Sequence, residues 1–138
     1  MERTLIGVFL ILHGLVHAGL AAAPVPNDPE SKPGMFFTAP ARTRLLSALG
    51  LSEGAIRTTG IVLVALATLG FVLAGMGVLG VPLLAGIWRG MAIGSAIVSA
   101  LLLIFFWHSW LILGLLLDVA ILVSLLWLRW PPASLIGH

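Results

Sequence analysis

An all-α, four-helix transmembrane bundle is the fold this sequence predicts, and three observations predict it. Hydrophobic residues make up 60% of the 138 positions and charged residues only 9%. Soluble domains run at roughly 45–50% apolar and about 25% charged, so a chain this small cannot cover its apolar surface in water. Four apolar runs, at about residues 4–23, 58–78, 84–107 and 111–128, each approach the length a bilayer demands. Breaks rich in Pro, Gly and Trp separate them. Residues 1–138 are therefore read as a single transmembrane domain, with an extramembrane loop over about 24–51.

The first run, "TLIGVFLILHGLVHAGLAAA", has Met1-Glu2-Arg3 before it and "AAAP" at its end, which also suits a secretory signal peptide. Two histidines in its apolar core argue against removal. Beyond it, Pro24, Pro26, Pro29 and Pro33 exclude helix from the first half of the loop. "ARTRLLSALG" then predicts a short interfacial helix, with Arg42 and Arg44 at its start and Leu45, Leu46 and Leu49 on one side. Met35, Phe36 and Phe37 either dip into the headgroups or cap the bundle.

Ser52 followed by Glu53 is a helix start, and the second run follows. "GVLGVP" connects it to the third, where Pro82 suits a first helical turn. Trp88, Arg89, Trp107, Trp110, Trp127 and Trp130 fall at run ends and are expected to anchor at headgroup level. Four spans put both termini on one side. Arg3, Arg89, Arg129 and the amino terminus face Lys32, Arg42, Arg44 and Arg57 across the bilayer, so the positive-inside rule ties. The long Pro-rich loop sits more easily outside, which places the termini in the cytoplasm and the protein in the cell membrane.

Helices in lipid associate by close approach at small residues. Gly14, Ala18 and Ala22 in the first run, Gly60, Thr68 and Gly70 in the second, and Gly90, Gly94, Ser95 and Ser99 in the third supply such positions. They are expected to pack within the bundle, a homodimer face being the alternative, while Leu103 is expected to face lipid.

Polar residues inside the runs carry the functional question. His13 and His17 lie one turn apart, about 6 Å along a helix, and share a face flanked by Gly14 and Ala18. Asp118 sits near the middle of the fourth run, where a lone carboxylate is expensive. The three are expected to partner one another, with Ser95, Ser99 and Ser124 completing a network. That cluster suits a structural hydrogen-bond network, a metal site for zinc, iron or copper, a haem or quinone pocket, or a proton-coupled transport path. No fourth metal ligand is evident, and two histidines on one helix cannot ligate a haem from opposite faces, so no metal or cofactor is assigned. His108 and His138 are expected to meet water. No nucleophile–base pair, phosphate loop or paired carboxylates suggest an enzyme. The absence of Cys excludes thiolate chemistry. A net charge of +2 without a basic stripe excludes nucleic acid as a partner.

"LHGLVH" in the first run, with "FWHSW" and then Gly and Asp leading through the fourth, resembles a group of small bacterial four-helix membrane proteins of DoxX-like type. Their H-G-L-[IV]-H pattern falls here on His13, Gly14, Leu15, Val16 and His17, and their Trp-containing turn and Gly on Trp107, Trp110 and Gly114. Asp118 stands where the resemblance leads one to expect Asn. It implies membrane redox and quinone-linked processes. The functional expectation is a small integral membrane protein of structural or accessory type, with a redox complex, other membrane subunits or a second copy as partners. The rival is a ligand-binding protein or carrier built on His13, His17 and Asp118.

Overall fold

The computed structural model describes residues 1–39 and 43–136. Arg42, expected to open the short helix, and His138 lie outside the described residues. Helix α1 spans Glu2–Ala22, with Glu2 in its first turn where a carboxylate complements the positive helix end. It stops at Ala23, which is extended because Pro24 follows it. A five-residue helix, α2, covers Arg44–Ala48, capped by the Thr43 hydroxyl accepting from the Leu46 amide. Helix α3, Glu53–Val78, begins on the Ser52 cap that Ser-Glu predicts. It ends in a Schellman turn: the Gly80 and Val81 amides return to the Gly77 and Met76 carbonyls. Gly80 takes the required left-handed conformation at φ 95°, and the Arg3 guanidinium lies where any side chain there would go.

Helix α4 spans Trp88–Phe105, starting later than the expected residue 84. Pro82–Ile87 instead form consecutive turns, in which Leu83 is left-handed at φ 72°, a conformation no helix continues through. A 3-10 turn at Ser109–Leu111 leads into α5, Ile112–Leu122, which widens into a π-helical turn at Val123–Trp127. The last element, α6 at Ala133–Ile136, was not expected from the sequence, since four residues carry no periodic signal. All described secondary structure is helical, and four segments, Glu2–Ala22, Glu53–Val78, Trp88–Phe105 and Ser109–Trp127, are long and apolar enough to cross a membrane.

Helix α1 packs on α3, α3 on α4, and α4 on α5, while α1 and α5 scarcely approach each other. The small residues that permit this are not all the expected ones. A Cβ on Gly14 would stand 2.9 Å from the Thr68 carbonyl, and one on Gly75 would stand 2.6 Å from the Gly7 carbonyl, so α1 and α3 meet backbone to backbone. Ala18 and Ala22 are exposed, and Gly90 and Gly94 have open space where a side chain would stand. The two glycines of the expected stripe on α4 are therefore turned outward, while its serines, Ser95 and Ser99, are buried in the bundle. Leu103, expected to face lipid, is buried against Gly114.

Two apolar clusters fill the bundle. One, toward the termini, gathers Leu10, Phe71, Ala74, Val78, Trp88 and Ile121. The other, toward the long loop, gathers Phe36, Phe37, Ile56, Leu102, Phe106 and Leu111. Phe36 and Phe37 are both 1% exposed, so they cap the bundle rather than entering headgroups. Of the short-helix leucines only Leu46 turns inward, and Leu45 and Leu49 are exposed. Trp88 is also corrected: it is 8% exposed, part of the core rather than a surface anchor, because α4 starts at it and points it at α1 and α5. Trp107, Trp110, Trp127 and Trp130 are all exposed. Arg3 Nε donates to the Val78 carbonyl at 2.6 Å, and Met1, Arg3 and Leu135 line one cleft, which puts both ends of the described chain at the same end of the bundle.

A buried polar layer as the candidate functional site

Between the two apolar clusters lies a single polar layer. On α1, Leu10 belongs to one cluster and Leu20 packs on the other, with His13 and His17 between them. Ser99 on α4 and Asp118 on α5 occupy the same interval on their helices. Asp118 and Ser99 are both 0% exposed, and the histidines are buried. The helical spacing of four residues turns both imidazoles to one side, and Gly14 lets that side approach α3 closely enough for Phe71 to cover them. The Phe71 ring meets His13 edge-on at 4.7 Å between centroids and lies at 28° to His17 at 6.0 Å. Phe9 stacks on the outer side of His13 at 5.9 Å.

The hydrogen bonds form an unbroken chain across three helices. His17 Nδ1 lies 2.9 Å from the His13 carbonyl, which only accepts, so Nδ1 carries a hydrogen and donates it. His17 Nε2 is 2.6 Å from Ser99 Oγ, Ser99 Oγ is 2.5 Å from Asp118 Oδ2, and Asp118 Oδ1 is 3.0 Å from His13 Nε2. Those three links need three hydrogens. A neutral His13 supplies one and the Ser99 hydroxyl another. The third is an added proton, held by Asp118 or by His17. Either way the cluster is neutral overall, since one proton offsets one carboxylate. A net-neutral group with both carboxylate oxygens and the hydroxyl bonded is the form in which these residues are affordable in hydrocarbon.

Of the residues the sequence assigns to this cluster, the structure brings together His13, His17, Ser99 and Asp118. Two serines are elsewhere. Ser95 Oγ donates to the Met91 carbonyl of its own helix at 2.7 Å and packs against Gly70, one turn away from the layer. Ser124 lies in the π-helical turn and lines a separate apolar groove. His108 caps the Ser109–Leu111 turn, its Nδ1 accepting from the Trp110 amide at 3.2 Å. Thr68 is the residue sequence reasoning missed: its buried Oγ1, at the same depth on α3, has no hydrogen-bond partner among the described residues. A mid-span Thr in a small-residue pattern signals packing alone, so nothing in the sequence singles out its hydroxyl.

His13, His17 and Asp118 each offer a metal-ligand atom, all within 4.8 Å of one another. Tetrahedral zinc, with bonds of about 2.0–2.1 Å, holds its ligand atoms roughly 3.3 Å apart, and three protein ligands suit a site with an open position. The donor types fit; the present geometry closes them on one another through Ser99 and requires them to move inward and give up those bonds. Comparison with protein-family models, with curated proteins and with solved structures finds no match to the chain. Fold and polar layer together define a four-helix transmembrane bundle with a buried hydrogen-bonded layer between its two apolar clusters.

Proposed function

We propose that this chain is a small integral membrane protein of structural or accessory type, in which His13, His17, Ser99 and Asp118 fasten the first helix to the last. The observation that carries this reading is the closure of the polar chain. Both Asp118 oxygens and both His17 nitrogens are engaged within the protein, and the bond from His13 to Asp118 joins α1 to α5, two helices that otherwise scarcely meet. The outward glycines of α4, Gly90 and Gly94, support an accessory role, because they leave a strip where a helix of another subunit or a second copy can approach closely. The DoxX-like resemblance adds a membrane redox complex as the assembly in which to look for it; its place is the cell membrane, with the Pro-rich loop outside and the termini in the cytoplasm.

The test is the composition of the purified protein in detergent. Optical spectra, metal analysis and extraction of lipid-soluble compounds are expected to return no haem, metal or quinone near one per chain. Such a component at that ratio, lost on His13→Leu, overturns the reading in favour of a ligand-binding protein or carrier using the cluster.

A further inference from the structure

Two cavities adjoin at the end of the bundle that holds the termini, and they differ in chemistry. The first, about 310 Å³, is a laterally open groove between α1 and α5, walled by Leu5, Phe9, Leu117, Ala120 and Ile121 with Trp88 as its floor. It exists because α1 and α5 diverge below the His13–Asp118 link, and its volume is at the lower end of those that hold small apolar ligands. The second, about 260 Å³, is lined by Gly86, Arg89, Ala133 and Ile136 and shares Trp88 and Pro131 with the first. Arg89 is therefore the charged group at the mouth of an apolar groove.

Arg89 is also poorly satisfied. Its Nε is buried with no hydrogen-bond partner among the described residues. Its Nη2 reaches the Pro131 carbonyl only at 3.5 Å, and its charge rests 5.9 Å from the Trp88 ring. Among the described residues no carboxylate lies within salt-bridge distance of this guanidinium. A guanidinium with unused donors at the level where a helix leaves the apolar region is matched by a phosphate, which its planar fork binds in two-point fashion. The two cavities, which meet at Trp88 and Pro131, together offer the polarity an amphiphile needs: an anionic head at Arg89 and a hydrocarbon chain in the groove. Basic pockets between membrane helices bind anionic lipid headgroups on the same principle.

We propose that this end of the bundle is a binding site for an anionic phospholipid, its phosphate on Arg89 and one acyl chain between α1 and α5. The site is distinct from the hydrogen-bonded groups of the polar layer, which lie deeper; Phe9, which walls the groove and stacks on His13, is the residue they share.

Purified full-length protein in detergent is offered phosphatidylglycerol or phosphatidylcholine with identical chains, and retained lipid is counted by native mass spectrometry. Phosphatidylglycerol is expected to be held about fivefold more tightly, the worth of one basic side chain against an anionic head. Arg89→Gln should lower that preference to about one while the chain is still bound. Ala120→Trp, which fills the groove from an exposed position, should abolish retention of both lipids with the fold intact by thermal melting. Equal retention of the two lipids by the unaltered protein overturns the proposal. So does an undiminished preference in Arg89→Gln, unchanged retention in Ala120→Trp, or equal stabilisation by inorganic phosphate alone.

Discussion

The two halves of this bundle are built from the same few residue types and closed in different ways. Toward the loop, Phe36 and Phe37 come from a Pro-rich segment and plug the space among α3, α4 and the Ser109–Leu111 turn, with Phe37 meeting Phe106 edge-on at 6.2 Å. A Cβ on Gly60 would collide with the Phe37 carbonyl, so the plug is seated against the α3 backbone itself. Toward the termini the C-terminal segment packs on the cluster through the buried Ile136, and Trp130 and Pro131 border the space between α1 and α5 without filling it. Trp88 fills part of the gap from α4, and a groove remains. What the contrast teaches is where the clamp has to be. In both halves α1 and α5 share neighbours, but only the terminal half leaves an open groove between them, and the His13–Asp118 link sits beside that groove, at the boundary between the halves.

The largest expected effect is topological. Glu30, exposed in the loop, and Ser134, in α6, lie at opposite ends of the bundle. The chain has no native Cys, so single cysteines at these positions can be labelled without background. In sealed vesicles a membrane-impermeant reagent should modify one and not the other. Modification of both from one face removes the four-span arrangement and the two ends with it.

Next in size is the contrast between Gly14 and Gly94. At Gly14 a single methyl would press on Phe71 Cβ and the Thr68 carbonyl, both at 2.9 Å, and neither is the flexible end of a side chain. Gly14→Ala should therefore cost about 2–3 kcal/mol by forcing α1 from α3. Gly94 meets nothing within 4 Å, so Gly94→Ala should be neutral or should stabilise by up to about 1 kcal/mol through helix propensity. Melting of the two variants in detergent checks the pair, and equal losses would mean that α4 turns its glycines inward.

The clamp itself should show coupling. Interhelical hydrogen bonds in membranes couple by about 0.6 kcal/mol on average and reach roughly 1.7. His13 and Asp118 form a buried bond in a shared network, so their double-mutant cycle with Leu should reach the upper part of that range, about 1–1.7 kcal/mol. Asp118→Asn is a different case. An amide NH2 can donate to Ser99, leaving the Ser99 hydroxyl to donate to His17 Nε2, while the amide oxygen still accepts from His13. All three links then close with no added proton, so the loss should stay below about 1 kcal/mol. Purely additive losses in the cycle would show that the two residues do not interact.

The spans and the core of the clamp were legible because each rests on a strong local signal. Length and apolarity define a span, and four-residue spacing places His13 and His17 on one side whatever they meet. Asp118 was legible by expense, since a mid-span carboxylate must find partners. What was not legible depended on which way an apolar helix faces. In lipid the outer face is as hydrophobic as the inner one, so α4 offers no polar side to orient it. Gly90, Gly94, Ser95 and Ser99 read as one stripe, yet only Ser99 joins the layer. Leu103 and Trp88 were misplaced for the same reason. The late start of α4 turned on the left-handed Leu83, a tertiary feature with no sequence mark.

The smallest expected effect concerns the helix the clamp leaves out. A Thr in a helix commonly returns its hydroxyl to the carbonyl four residues back, as Thr59 does to Ala55 at 2.8 Å. Thr68 does not, and its Oγ1 is buried at the depth of Ser99 without a partner among the described residues. These two hydroxyls should respond oppositely to removal. Ser99→Ala strips a partner from both His17 and Asp118 and should cost about 2 kcal/mol. Thr68→Val replaces an unbonded hydroxyl with a methyl of similar size and should stabilise the bundle, by up to about 1 kcal/mol. Thermal melting in one detergent, with both variants measured beside the unaltered chain, decides it. A loss at Thr68→Val as large as that at Ser99→Ala would mean that the hydroxyl is bonded after all, that the polar layer runs through all four spanning helices, and that α3 is fastened like the rest.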